Sequence, residues 1–165
     1  MKVRELVTAA MFVALITVTT AFVKIPLALT GYIHLGDTFI FLACYFLRPC
    51  WAIPVSALGS ALADVIAFPV YAPATFLIKA GMAAIFALFV YRKPVLWREI
   101  VGVVCAGLFM LLGYLLFEGF FILETWEAAF ANIALSAIQP AACGVLGVAV
   151  LQIVNRIPSV RDRRF

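Results

Sequence analysis

Six long apolar stretches follow one another along this chain of 165 residues, and the polar residues that interrupt them gather toward the stretch ends. About 20 apolar residues make one helical crossing of a bilayer, so a chain of this kind has to fold as a set of membrane helices joined by short connections. Composition agrees. Hydrophobic residues make up 67% and charged residues 12%, with a mean hydropathy of +1.17, against about 45–50% apolar and about 25% charged in soluble domains. The sequence therefore reads as an all-α, polytopic, multi-pass membrane protein, a single embedded domain over residues 1–165 with no soluble domain. The first run, Leu6 to Val23, lacks a small-residue cleavage site and leads straight into more membrane sequence, so it is expected to be a helix rather than a secretory signal.

The expected spans are residues 6–23, 37–47, 51–67, 74–91, 99–117 and 128–154. The second is too short to cross perpendicularly at about 1.5 Å per residue. It is expected to begin in a partly inserted loop at His34, Leu35, Gly36 and Asp37, covered by protein. Six spans put both termini on one side. Lys2, Arg4, Arg48, Arg92, Lys93, Arg98, Arg156, Arg161, Arg163 and Arg164 all fall on that side, whereas Lys24 lies at the opposite mouth and Lys79 within the fourth span. The positive-inside rule then places both termini in the cytoplasm of a bacterial-type plasma membrane. The net charge of +4 is a matter of topology and contact with anionic lipid, and gives no case for nucleic-acid binding.

Catalytic chemistry finds little support. Cys44, Cys50, Cys105 and Cys143 are scattered over apolar spans without CxxC or histidine-flanked spacing, so they read as packing residues and no metal is expected. No HExxH, GxSxG or glycine-rich phosphate loop is present. The chain is expected to be no enzyme and to bind no cofactor of its own; any ATP hydrolysis belongs to partners.

The topology does gather polar groups at one end. The outward connections and adjoining helix ends carry His34, Asp37, Asp64, Tyr71, Lys79, Tyr114, Glu118, Glu124, Glu127, Asn132 and Gln139. Asn132 and Gln139 are seven apart, close to two turns, and are expected to share a face, with Pro140 loosening the helix beside them. A charge inside a bilayer costs roughly 2.5–3.5 kcal/mol on insertion scales and is seldom kept without a partner or a role. The candidate substrate-binding set is His34, Asp37, Asp64, Lys79, Tyr114, Glu118, Asn132 and Gln139. Structural readings stand beside it: Asp64 and Lys79 neutralising one another, Asp37 capping the second helix, His34 satisfying loop backbone, and Glu124 and Glu127 forming a solvated acidic edge. In the first span Ala10 and Ala14 lie one turn apart, where small side chains let another helix approach, as do Ala57 and Ala61, Gly59 and Ala63, and Ala80 and Ala84.

Several of these residues together resemble the substrate-binding S components of energy-coupling factor (ECF) vitamin transporters. The likeness rests on Ala10-x-x-x-Ala14, on Gly31-Tyr32-Ile33-His34-Leu35-Gly36-Asp37, on Gly59-Ser60-Ala61-Leu62-Ala63-Asp64, and on Tyr71 through Gly81. The family loop usually reads Asn-Leu-Gly-Asp, and His34 stands here in place of the Asn. The resemblance implies a six-helix protein that captures a vitamin or precursor from outside beneath a lid formed by the loop between the first two helices. It further implies docking through Ala10 and Ala14 on a transmembrane coupling subunit that holds two cytoplasmic ATPases, with toppling in the membrane to release the cargo.

The subgroup most resembled handles pyridoxine (vitamin B6) or hydroxymethylpyrimidine, a neutral heteroaromatic ring bearing hydroxyls. Riboflavin, thiamine and a queuosine precursor are the other candidates, whereas folate would want more basic groups at the mouth. Two other function classes compete. A self-sufficient secondary transporter would show inverted repeats, and none is evident between the two halves; a small intramembrane enzyme would have only His34, Asp37 and Asp64 to work with.

Overall fold

The computed structural model describes residues 3–26, 32–91, 95–123 and 125–158. Lys2, Gly31, Arg92, Lys93, Glu124, Arg161, Arg163 and Arg164 lie outside the described residues. Helix α1 (Val3–Phe22) leads into an antiparallel hairpin of β1 (Lys24–Pro26) and β2 (Tyr32–His34), followed by α2 (Gly36–Phe46) and α3 (Pro49–Ala67). A 3₁₀ turn (Pro69–Tyr71) opens α4 (Ala72–Val90); then come α5 (Leu96–Phe117), a π-helical turn (Glu118–Ile122), α6 (Trp126–Ser136) and α7 (Ile138–Arg156). Among the described residues five helical stretches are long and apolar enough to cross a membrane: Val3–Phe22, Pro49–Ala67, Pro69–Val90, Leu96–Ile122 and Trp126–Arg156.

Local chemistry explains several boundaries. Arg48 is extended ahead of Pro49, which opens α3 where a missing N–H costs nothing. The short α2, 11 residues long and so about 16 Å, spans about half of a hydrocarbon core of roughly 30 Å. It is covered by protein: Ile40, Phe41, Cys44 and Tyr45 are fully buried among α1, α3, α4 and α7. Between α1 and α3, a Cβ added at Gly59 would stand 2.9 Å from Ile16 Cβ and 3.1 Å from the Val13 carbonyl. The missing side chain lets Thr17 Oγ1 donate to the Gly59 carbonyl at 2.9 Å.

The last expected span, 128–154, is two helices. Pro140 has no N–H to offer the Ser136 carbonyl and its ring crowds that group, so α6 ends at Ser136 and α7 starts anew at Ile138. At the opposite end of the bundle from the hairpin, the fully buried Glu99 accepts from Gln152 Nε2 at 2.7 Å and Asn155 Nδ2 at 3.3 Å. Tyr45 OH donates to Asn155 Oδ1. This clasp joins α2, α5 and α7.

Candidate functional site

The hairpin and the break between α6 and α7 bring their polar residues to one end of the bundle. Asp37, in the first turn of α2, accepts from Lys79 Nζ of α4 at 2.5 Å and from Gln139 Nε2 of α7 at 2.6 Å. Lys79 Nζ also lies 3.0 Å from Met110 Sδ of α5. The side chains of the ion pair are 1% and 0% exposed, so neither charge is tolerable without the other.

His34 closes the cluster from the hairpin. Its backbone N–H donates to Gln139 Oε1 at 3.3 Å, its carbonyl accepts from Cys143 Sγ at 3.2 Å, and its Nε2 lies 3.3 Å from Gln139 Nε2. Its Nδ1 accepts from the Gly36 N–H at 3.1 Å. Burial pushes the imidazole down to about 4, so the ring is neutral near pH 7. Gly36 has to be glycine: a Cβ would overlap Thr20 Oγ1 and stand 2.9 Å from His34 Nδ1.

A second polar group adjoins the first. Glu118, buried where α5 passes into the π-helical turn, accepts from Asn132 Nδ2 at 2.7 Å and from Tyr71 OH at 3.3 Å. The Tyr71 ring meets Phe117 edge-on at 5.4 Å and lies 6.5 Å from Tyr114. Tyr114 connects the two groups: its hydroxyl is 3.0 Å from Thr75 Oγ1 and its ring centroid 5.8 Å from Lys79 Nζ. A belt of carboxylate, ammonium, amide, imidazole and phenol thus crosses the bundle at the hairpin end. The Asp37–Lys79 pair is neutral as a whole, and the Glu118 carboxylate is held by an amide and a phenol.

Several sequence expectations change. The Lys79 ammonium goes to Asp37 and Met110 rather than to Asp64; Asp64 is buried near the end of α3. Asp37 does not cap α2, whose N-cap is Leu35 without a side-chain bond. An ammonium and an amide in a dry interior outcompete exposed backbone N–H groups for that carboxylate. Asn132 and Gln139 are both buried and meet different partners on either side of the interruption at Ala137: Asn132 serves Glu118, and Gln139 serves Asp37 and His34. Glu127 is exposed in the first turn of α6, capped by Thr125. Met110, Cys143 and Thr75 were missed as members of the cluster. Thr75 precedes Lys79 by four residues and Cys143 follows Gln139 by four, so helical spacing alone could have found both. Among the described residues no group of three or more His, Cys, Asp or Glu is arranged to hold a metal.

Ala10 and Ala14 are exposed on α1, while Ala9, Phe12 and Ile16 face the core. Val7, Met11 and Val18 share the outer surface.

Residues 1–156 match a family model described as the S component of ECF-type riboflavin transporters. A protein from Pyrococcus woesei, described as an uncharacterized protein in the gap 3′ region, is 38% identical over 100 residues, 60% of this chain and 68% of that protein. A solved structure reported for the structure and mechanism of the S component of a bacterial ECF transporter superposes with a TM-score of 0.78 at 19% identity, covering 93% of this chain and 96% of the other.

Proposed function

Because the chain belongs to the family of ECF-type riboflavin transporter S components, we propose that it captures a small heteroaromatic vitamin at the hairpin end and passes it to a separate ATP-driven module. The observation that carries this reading is the belt from Gln139 and Asp37 through Lys79 and Tyr114 to Glu118 and Asn132. A compensated Asp37–Lys79 pair with aromatic edges suits a neutral ring bearing hydroxyls, and buried polar groups in a membrane helix bundle are retained for a function. Pyridoxine or hydroxymethylpyrimidine is the first choice, because Asp37, Lys79, Gln139 and His34 form one compact, mutually hydrogen-bonded set of donors and acceptors, a scale that suits a single-ring compound. Riboflavin is the second. It is favoured by the family description and by the adjoining Glu118, Asn132 and Tyr71 group, which would serve a longer flat molecule and its hydroxylated tail.

The termini lie in the cytoplasm in this reading, supported by the basic residues at that end. The exposed Ala10 and Ala14 are the docking face for a coupling subunit carrying two ATPases. The chain itself catalyses nothing and binds no ATP. Equilibrium dialysis of the purified protein against labelled pyridoxine, hydroxymethylpyrimidine and riboflavin tests the choice. Saturable binding of a single-ring compound at least about tenfold tighter than riboflavin supports the first reading, and the reverse order selects riboflavin. Folded protein that binds none of the three refutes capture of this class.

A further inference from the structure

Away from the polar belt, α5 and α7 enclose an open groove of about 670 Å³ lined by apolar side chains and small residues. Its floor is low because small residues meet there: a Cβ added at Gly107 would stand 3.0 Å from Pro140 Cβ. Leu108 and Val145 rise on either side, 56% and 72% exposed. Along α5 the lining runs from Ile100 to Leu111, about 16 Å at the helical rise. That is about half of a hydrocarbon core of roughly 30 Å, the depth of one leaflet.

The groove has a basic mouth. Arg156, exposed at the end of α7, follows the lining residue Ala149 by seven positions and so falls on the same helix face two turns on. On α5, Trp97 precedes Ile100 by three positions and is 59% exposed, with the Arg98 guanidinium 5.8 Å from its ring centroid. Glu99 is turned inward, onto Gln152 and Asn155. An apolar channel one leaflet deep that ends at an arginine and an interfacial tryptophan is complementary to an amphiphile with an acyl tail and an anionic head. We propose that the α5–α7 groove binds one anionic phospholipid, its acyl chain along Gly107 and Pro140 and its phosphate at Arg156. Its assignment to the cytoplasmic leaflet rests on the orientation proposed above; its selectivity for anionic lipid does not.

Native mass spectrometry of the purified, delipidated protein in neutral detergent, titrated with dioleoylphosphatidylglycerol or dioleoylphosphatidylcholine, tests this without reference to orientation or to the vitamin. The anionic lipid is expected to occupy one site at least about fivefold more tightly, the enrichment that one arginine near an anionic headgroup supplies. Arg156→Gln should cut that preference by about fivefold. Ala141→Trp should fill the groove and abolish the site, and Val145→Trp, on a more exposed position, serves if the first variant does not fold. Equal binding of the two lipids, a preference unchanged in Arg156→Gln, or a site that survives the tryptophan in folded protein would each overturn the proposal.

Discussion

Replacing Lys79 by methionine keeps most of the side-chain length and removes the charge. The ammonium it deletes is 2.5 Å from Asp37 Oδ1, in a pair with both side chains essentially sealed from solvent. Asp37 would keep only the Gln139 amide, 2.6 Å from its other oxygen. One neutral hydrogen bond does not compensate a buried carboxylate, and breaking such a pair from one side costs about 3–5 kcal/mol. For a chain of this size that corresponds to a fall in melting temperature of about 6–20 °C. Asp37→Asn alone should cost a similar amount by stranding the ammonium. The double variant Asp37→Asn/Lys79→Met removes both charges and should recover most of the loss, leaving a coupling energy of at least about 2 kcal/mol. Thermal unfolding of the four proteins in one detergent measures the cycle. A Lys79→Met protein within about 1 kcal/mol of the parent, or strictly additive single effects, would refute the pair as the electrostatic centre of the site.

Gly36→Ala should destabilise the protein by about 1–3 kcal/mol, since the new methyl overlaps Thr20 Oγ1 and crowds His34; the same thermal assay reads it. His34 predicts a pH effect: with a folded value of about 4 against 6.5, the unfolded chain alone takes up the proton as pH falls below 6.5. Stability is therefore full above pH 6.5 and declines toward pH 4 by about 3 kcal/mol, a slope that His34→Gln should flatten. Ala14→Arg should leave vitamin binding intact and abolish uptake in cells that supply the coupling module, because a long charged side chain on that exposed face blocks helix approach; lost binding in detergent would refute that division of roles. Asn132→Ala and Gln139→Ala should each weaken vitamin affinity about tenfold in dialysis, and unchanged affinity would remove Glu118 or Asp37, respectively, from contact with the ligand.

The helices were legible because lipid leaves an apolar sequence few options, and the shortness of α2 was itself a sign that protein covers it. Pro140 announced a disturbance, but its position in the fold was not legible: the missing N–H acts on Ser136, four residues back, and so interrupts the helix between Asn132 and Gln139. The membership of the site was visible as a collection of polar residues at one end, whereas its pairings were not. Asp37 reads locally as a cap, and only the packing of α4 and α7 against α2 delivers Lys79 and Gln139 to it. Asp64, adjacent in the sequence order of helices, was the natural partner for Lys79 on one-dimensional grounds alone. The Glu99 clasp left a fainter sign, two amides at positions 152 and 155 on one face of an apolar helix.

The most direct measurement is a thermal-shift panel on the purified chain alone, in detergent, against pyridoxine, pyridoxal, pyridoxamine, hydroxymethylpyrimidine, riboflavin and thiamine, run in parallel on Gln139→Ala. A ligand at about 100 times its Kd should stabilise the folded state by roughly 2.7 kcal/mol. Capture by this chain at the Asp37 end predicts a clear shift with one heteroaromatic vitamin that shrinks in the Gln139→Ala protein. No shift with any of them in folded protein, or a shift that Gln139→Ala leaves whole, would contradict it.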